Sequence, residues 1–380
     1  MTNLATWRRL LWRAFLATLA ALALAEVLAL AWLHGLASDA DFRTYASITE
    51  LRARYGAFER FQAHRHLGFC LAPGYRRGAN RHNALGFRGD EIAAAKPPGT
   101  VRIACAGGST TYGEGVEDYR QAVPALLESK LRADGHATEV VNAGCPGWTT
   151  LETLLNFETR LLDLGVDHLV VYHGINDVFP RMVWPQTAYR GDLAGWLCRA
   201  EHLAEASLLD RSALARIVRI RLGRLAPHSD MLRIVGDVPS TSFSFAFRAQ
   251  RNANVYPDGI FREVPVEQML AANPPRFFER NLRSLLAVGA SHGVSVVLST
   301  FAYSAEFPHR PFIGHPAVRA AIDATNDIVR ALGRETGTPV VDLQPALQRR
   351  EFFTDGVHFT LAGNEERAAI LHRFFAERLR

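Results

Sequence analysis

Ser109, Asp355 and His358 have the types and the setting for nucleophilic chemistry on a carbonyl group. Ser109 follows the strand-length run Val101-Arg-Ile-Ala-Cys-Ala106 and two glycines, Gly107 and Gly108. A strand that ends in glycines and hands a serine to a turn is how an open α/β sheet presents a nucleophile at its carboxyl edge. A serine hydroxyl is a weak nucleophile until a base takes its proton. A histidine can do that near neutral pH, and an aspartate one short loop away can hold the imidazole and stabilise its cation. Asp355-Gly-Val-His358 supplies both near the end of the chain. Each signal alone has a bland reading. Gly-Gly-Ser-Thr is also an ordinary strand-to-helix turn, and a histidine taken at random from the 14 present is usually a surface residue.

The elements needed to bring these residues together are legible in the hydrophobic pattern. Strands are expected at Val101–Ala106, Glu139–Ala143, His168–Tyr172, Val294–Thr300 and Pro339–Leu343. The third is nearly continuous in hydrophobics, as a strand buried on both faces should be. Helical spacing covers Tyr119–Arg132, a stretch capped by Thr149 or Thr150, Ala317–Glu335 and Leu361–Leu379, the last with Thr360 as its cap. Strands separated by helices imply a parallel sheet with right-handed crossovers. Loops at the carboxyl ends of such strands share one crevice. Ser109, Gly144 and Asn176 follow the first three strands, and Asp355 and His358 follow the fifth. All five therefore converge, although Ser109 and His358 stand 249 positions apart in the chain.

Four stretches in order, Gly107-Gly-Ser-Thr110, Asn142-Ala-Gly-Cys-Pro-Gly147, Gly174-Ile-Asn-Asp177 and Asp355-Gly-Val-His358, resemble the blocks of the SGNH (GDSL-like) hydrolase family. The resemblance runs from about Val101 to Arg380. It implies a three-layer flavodoxin-like α/β fold and a serine esterase or deacylase acting through an acyl-enzyme on Ser109. It matches His358 to the base and Asp355 to the acid. The oxyanion hole it implies consists of the Ser109 and Gly144 N–H groups and the Asn176 side chain. Gly108 stands where many members carry Asp, a position outside the catalytic groups. Asp177 is expected to hold its loop. No cofactor and no metal are implied. The substrate class implied is an acyl ester, including O-acetyl, on a glycan, a lipid or a small molecule. An O-acyltransferase would use the same residues, with a sugar hydroxyl intercepting the acyl-enzyme. A non-catalytic glycan-binding or scaffold protein is the reading from another class, and the complete residue set argues against it.

Composition is that of a globular chain, with 48% hydrophobic and 21% charged residues. The net charge of +5 is spread along the sequence and no basic–aromatic motif appears, so a nucleic-acid partner is not expected. Ser109 is not in Gly-x-Ser-x-Gly, and neither a phosphate-binding glycine loop nor His-Glu-x-x-His is present. Cys70, Cys105, Cys145 and Cys198 form no Cys-x-x-Cys. They read as buried thiols or, in an exported domain, as disulfide candidates.

Residues 1–13 carry Arg8, Arg9 and Arg13 and no acid. Residues 14–33 are apolar apart from Thr18 and Glu26, long enough to cross a bilayer. The positive-inside bias then predicts a single span, with residues 1–13 cytoplasmic and the remainder exported to a periplasmic or extracellular space. A cleaved signal peptide competes, with a shorter apolar core as its usual form. Glu26 marks a helix–helix contact or is protonated. Residues 34–98 read as a connector packed on a domain spanning 99–380. Asn83-Ala-Leu-Gly-Phe-Arg-Gly89 within the connector is either a tight turn or a place where Asn83 or Arg88 binds substrate. Residues 180–275 break the alternation as a helical insertion. An apolar stripe, Leu214, Val218, Leu222 and Leu225, runs beside Arg216, Arg219, Arg221 and Arg224, which read as solvated or facing lipid headgroups or an anionic glycan. The insertion leaves the sheet on its active-site edge, so it is expected to cap the pocket. Oligomeric state is not legible.

Overall fold

The computed structural model of the chain describes residues 4–47, 50–51, 54, 60–64, 66–182, 186, 189, 191, 211–225, 264–310 and 312–379. The chain divides into two compact units, Met1–Phe58 with Cys198–Val235 and Glu59–Leu197 with Gly236–Arg380.

The larger unit is built on five parallel strands: β1 Val101–Gly107, β2 Thr138–Gly144, β3 His168–Tyr172, β4 Ser295–Ser299 and β5 Val340–Val341. Their order is β2-β1-β3-β4-β5, with every neighbouring pair parallel. This is the flavodoxin-like order, with its topological switch at β1 and β3. Alternate residues feed two cores. Ile103, Cys105, Val170, Tyr172 and Val297 pack with Val123, Leu127, Leu371 and Phe375 on one face. Ala104, Ala106, Leu169, Val171 and Leu298 pack with Phe157, Leu161, Leu282 and Leu285 on the other. Helices thus cover both faces and give three layers.

Element boundaries move where local chemistry demands it. The expected helix at Tyr119 begins instead at Val123, where Pro124 fits the first turn, after a 3₁₀ turn capped by Asp118. The fifth strand shrinks to two residues, since Pro339 has no N–H to donate to a ladder. After residue 34 the chain forms the helix Asp39–Tyr45, residues 50, 51 and 54 are again helical, and Phe61–His64 pairs antiparallel with Gly68–Leu71.

The smaller unit contains the helix Leu4–Gly35, whose stretch Thr6–Gly35 is long and apolar enough to cross a membrane. Trp7, Leu10, Phe15, Leu16, Leu19 and Leu22 are exposed on it, whereas Leu33 is buried with Phe42, Ala46, Leu51 and Ala213. Ala213 begins the helix Ala213–Arg221, so this part of the insertion belongs with the N-terminal helix. Its packing reverses the amphipathic reading: Ala213 and Arg216 are buried, while Val218 and Leu222 are exposed. Arg216 is buried because it donates to the Tyr45 carbonyl (3.0 Å) and to Glu50 (2.7 Å). Val266–Ala272, by contrast, contributes Met269 and Leu270 to the core of the larger unit. Cys198 and much of the insertion expected to cap the pocket, including Trp184, Trp196 and residues 256–259, lie outside the described residues.

Candidate active site

β1 ends in glycines for steric reasons. A Cβ on Gly107 would collide with Thr111 Oγ1 and the Tyr172 carbonyl. One on Gly108 would lie 2.5 Å from Asn176 Nδ2. The chain can therefore turn tightly into the short helix Ser109–Tyr112, with Ser109 at its first position. The acid and base sit on one loop, closed by the antiparallel bridge between Phe353 and Phe359 and by Thr354 N–H donating to the His358 carbonyl (2.8 Å). Gly356, at φ 99°, makes the bend in the loop that a side chain would strain. Thr360 then caps the last helix through Gly363 N–H.

These elements bring Ser109, His358 and Asp355 into one chain of hydrogen bonds. Ser109 Oγ lies 2.8 Å from His358 Nε2, and His358 Nδ1 lies 2.7 Å from Asp355 Oδ2. Asp355 Oδ1 accepts the Val357 and His358 N–H groups at 3.0 and 2.8 Å. With the carboxylate on Nδ1, that nitrogen carries the proton and Nε2 is the acceptor for the serine. Burial opposes the charge on Asp355, but His358 and the two N–H donors outweigh it and hold the carboxyl down to about 2. Burial likewise opposes protonation of His358. The Asp355 hydrogen bond and charge, helped by Glu114, outweigh it and raise the imidazole above its ordinary value. The His358 side chain keeps 15% of its surface exposed, enough to open the pair to a ligand.

Asn176 belongs to the same cluster. Its Nδ2 donates one hydrogen to the Trp148 carbonyl (2.9 Å), directly beside Gly108. Gly144 is placed differently from the expectation. It ends β2 opposite Gly107, and its N–H donates to Asn142 Oδ1 (3.2 Å). Tyr112 N and Thr111 close over its Cα, so it serves the packing of the serine-bearing helix on β2. Three residues on, Gly147 is half-buried at φ 85°, and its N–H has no acceptor among the described residues. The Ser109 N–H also has none.

Asn83 and Arg88 are not available to a substrate. Both are buried. Asn83 Oδ1 accepts the Leu85 and Phe87 N–H groups and Nδ2 donates to the Asp90 carbonyl, which makes it the pin of a turn. Arg88 spends all five donors: on the carbonyls of Tyr112, Gly113, Val116 and Glu117 and on Asn80 Oδ1. It fixes the loop that leaves the Ser109 helix.

Several supporting residues escape a motif reading. Asn142 Nδ2 donates to the Tyr112 carbonyl (3.0 Å). Arg367, from the last helix, donates to the Thr110 carbonyl (3.0 Å) and lies 3.6 Å over the Tyr172 ring. Behind Asn176, Asp177 Oδ1 accepts the Thr150 N–H (3.0 Å) and hydroxyl (2.7 Å), and Asn281 donates to the same hydroxyl. Burial pushes Asp177 up to about 7 and His173 down to about 3, so the two are not charged together and their 3.6 Å approach is not an ion pair. Only the pairing of Asp177 with Asn176 in Gly174-Ile-Asn-Asp177 signalled any of this. Cys70, Cys105 and Cys145 are buried free thiols.

Residues 105–366 match the GDSL-like Lipase/Acylhydrolase family, a stretch that contains Ser109, Gly147, Asn176, Asp355 and His358. No curated protein matches the chain. Among solved structures, a lipase/acylhydrolase from Enterococcus faecalis is 20% identical, covering 74% of this chain and 97% of its own, with a TM-score of 0.43. A GDSL-like lipase from Bacteroides thetaiotaomicron is 15% identical over 73% and 88%, with a TM-score of 0.39. An acetyl-xylooligosaccharide esterase from Geobacillus stearmophilus is 16% identical over 73% and 94%, with a TM-score of 0.40.

Proposed function

We propose, from the premise that this chain belongs to the GDSL-like lipase/acylhydrolase family and is an ester-hydrolysing enzyme, that it cleaves acyl esters through an acyl-enzyme on Ser109. The observation that carries this is the unbroken hydrogen-bond chain from Asp355 through His358 to Ser109. Ser109 Oγ attacks the ester carbonyl carbon while its proton passes to His358 Nε2. Asp355 holds the Nδ1–H and stabilises the imidazolium. The negative oxygen of the tetrahedral intermediate is received by the Ser109 N–H, the second hydrogen of Asn176 Nδ2 and the Gly147 N–H. Gly147 takes the place first expected of Gly144, whose N–H is already engaged. His358 returns the proton to the departing alkoxide. Water, deprotonated by the same histidine, then releases the acid and restores Ser109.

The helix Leu4–Gly35 is read as a single membrane span with the basic N-terminus, Arg8, Arg9 and Arg13, in the cytoplasm and the hydrolase exported. An enzyme so placed meets acylated envelope or extracellular glycans, and O-acyl groups on such glycans are the proposed substrates. The test is Ser109→Ala in the full chain. Reaction with a fluorophosphonate probe and turnover of acetylated polysaccharide should both vanish, with rate losses of about 10⁴-fold or more and an unchanged unfolding temperature. Retained turnover would remove Ser109 from the mechanism. Accumulation of acylated acceptor glycan faster than free acid would replace hydrolysis by transfer.

A further inference from the structure

The helix Leu4–Gly35 and the helix Ala213–Arg221 share a polar joint within the apolar run. Glu26 is the one acid between residues 14 and 33. Its carboxylate accepts the Ser212 hydroxyl (2.6 Å), the Ala213 N–H (2.7 Å) and the Leu214 N–H (3.0 Å). A helix N-terminus leaves its first N–H groups without partners and carries partial positive charge. Glu26 thus supplements the N-cap Ser212, whose hydroxyl accepts the Ala215 N–H (3.1 Å), and is the counter-charge of the second helix. The last turns of the N-terminal helix complete the joint: Leu33 is buried against Phe42, Ala46, Leu51 and Ala213. On the far side, Arg216 donates to Glu50, which also meets His34 at 2.9 Å. The second helix therefore starts at the level of Glu26 and advances beside the end of the first.

Depth follows from helix geometry. Glu26 lies seven residues, about 10 Å, before the end of the apolar run at a rise of 1.5 Å per residue. A helix whose first turn is bonded to Glu26 starts below the headgroup level if the run is membrane-embedded. The exposed surface of Ala213–Arg221 and the turn after it suits that position. Val218 is 46% and Leu222 62% exposed, while Arg221 and Arg224, near and beyond its end, are exposed cations. Apolar side chains beside cations on a short helix are the pattern of an element in the bilayer interface.

Resting on the membrane reading of Leu4–Gly35, we propose that Ala213–Arg221 is a second membrane-contacting element. Its Val218 and Leu222 enter the outer acyl-chain boundary, Arg221 and Arg224 meet anionic headgroups, and Glu26 seats it there. The partner is the lipid surface itself. The N-terminal helix is then retained, since its removal would take away both Glu26 and the packing of Leu33 on the second helix.

The full chain, reconstituted in vesicles of phosphatidylethanolamine and phosphatidylglycerol (3:1), tests this with a benzophenone amino acid at one position at a time. Photo-adducts to lipid are read by mass spectrometry at positions 16, 222 and 335. Adducts at 16 and 222 but not at 335 are expected. Adducts at 16 without adducts at 222 overturn the proposal and leave the membrane span standing. No adduct at 16 overturns both. Glu26→Leu should keep the adduct at 16 and lower that at 222 by at least about threefold, the scale of a lost capping interaction. An unchanged yield at 222 in that variant removes Glu26 from the proposal.

Discussion

The Arg88 guanidinium lies 4.5 Å over the Tyr112 ring and donates to the carbonyl of the same residue at 2.7 Å. One side chain thus holds both the face and the backbone of the last residue in the helix that Ser109 begins. Removing it takes one donor from each of four carbonyls: Tyr112 keeps the Asn142 amide and Gly113 the Val116 N–H, whereas Val116 and Glu117 lose theirs. Arg88→Ala should lower stability by about 3 kcal/mol, the cost of breaking a buried charged network. It should also lower kcat more than it raises KM. Arg88→Lys should restore little, since one ammonium cannot reproduce a planar fork. Thermal unfolding and steady-state kinetics check both; a kcat equal to that of the parent in a folded Arg88→Ala protein would falsify the positioning role.

Asn176→Ala should reduce kcat by about 100-fold or more, the usual effect of losing one oxyanion donor. The lost bond to the Trp148 carbonyl should cost about 1 kcal/mol of stability. Kinetics with a short-chain aryl ester measures the first effect and denaturant unfolding the second. A loss confined to stability would exclude Asn176 from the oxyanion hole.

The acid limb of the kcat/KM profile should lie above 6.5, the ordinary histidine value, because His358 must be neutral to act as base and its pKa is raised. Asp355→Asn removes the charge that supports the imidazolium. The limb should move to lower pH and the rate fall by about 10⁴-fold. Glu114→Gln should move the limb in the same direction by less, with the triad geometry intact. A pH–rate series on the three proteins checks the ordering, and an acid limb unmoved in Glu114→Gln would exclude that contribution.

Asp177 should weaken folding as pH rises toward neutrality, opposite in sign to His173, whose lowered pKa strengthens folding over much of the same window. Asp177 has its pKa raised to about 7 by burial. Between its unfolded value, about 3.9, and 7, the folded state holds a proton that the unfolded state has lost. The Asp177 contribution to folding therefore weakens as pH rises through that window. Asp177→Asn, always neutral, should lack that contribution. Unfolding measured at pH 4.5 and pH 8 for both proteins gives the comparison, and parallel changes would remove Asp177 as the cause.

The parallel sheet and the converging residues were legible because buried strands write continuous hydrophobic runs and glycines mark where the chain turns off them. His168–Tyr172 is read to the residue. Other features depend on tertiary contacts that spacing does not encode. Whether Gly144 offers its N–H depends on Asn142 two residues earlier bending back to accept it. Arg88 looks like a ligand-binding cation until its five donors are followed to their carbonyls. The stripe of Leu214, Val218 and Leu222 suggests a buried face. Glu26 and Glu50 reverse it by drawing Ser212 and Arg216 inward, a preference no local pattern records.

Asp355 and His358 stand three positions apart on a loop closed by its own bridge, so their alignment is set locally. Ser109 meets them because the helix that follows their loop packs Leu371 and Phe375 into the core under the sheet, with Asn364 at the Gln121 carbonyl, and is tied to the serine's own helix by Arg367 at the Thr110 carbonyl. The acid and base therefore form a preassembled cartridge, and the nucleophile is a separate part against which it is latched. Loosening the C-terminal helix would withdraw acid and base together, still correctly paired, and leave the serine inert. Activity should disappear in one step, before the sheet melts, and return in one step when the latch closes.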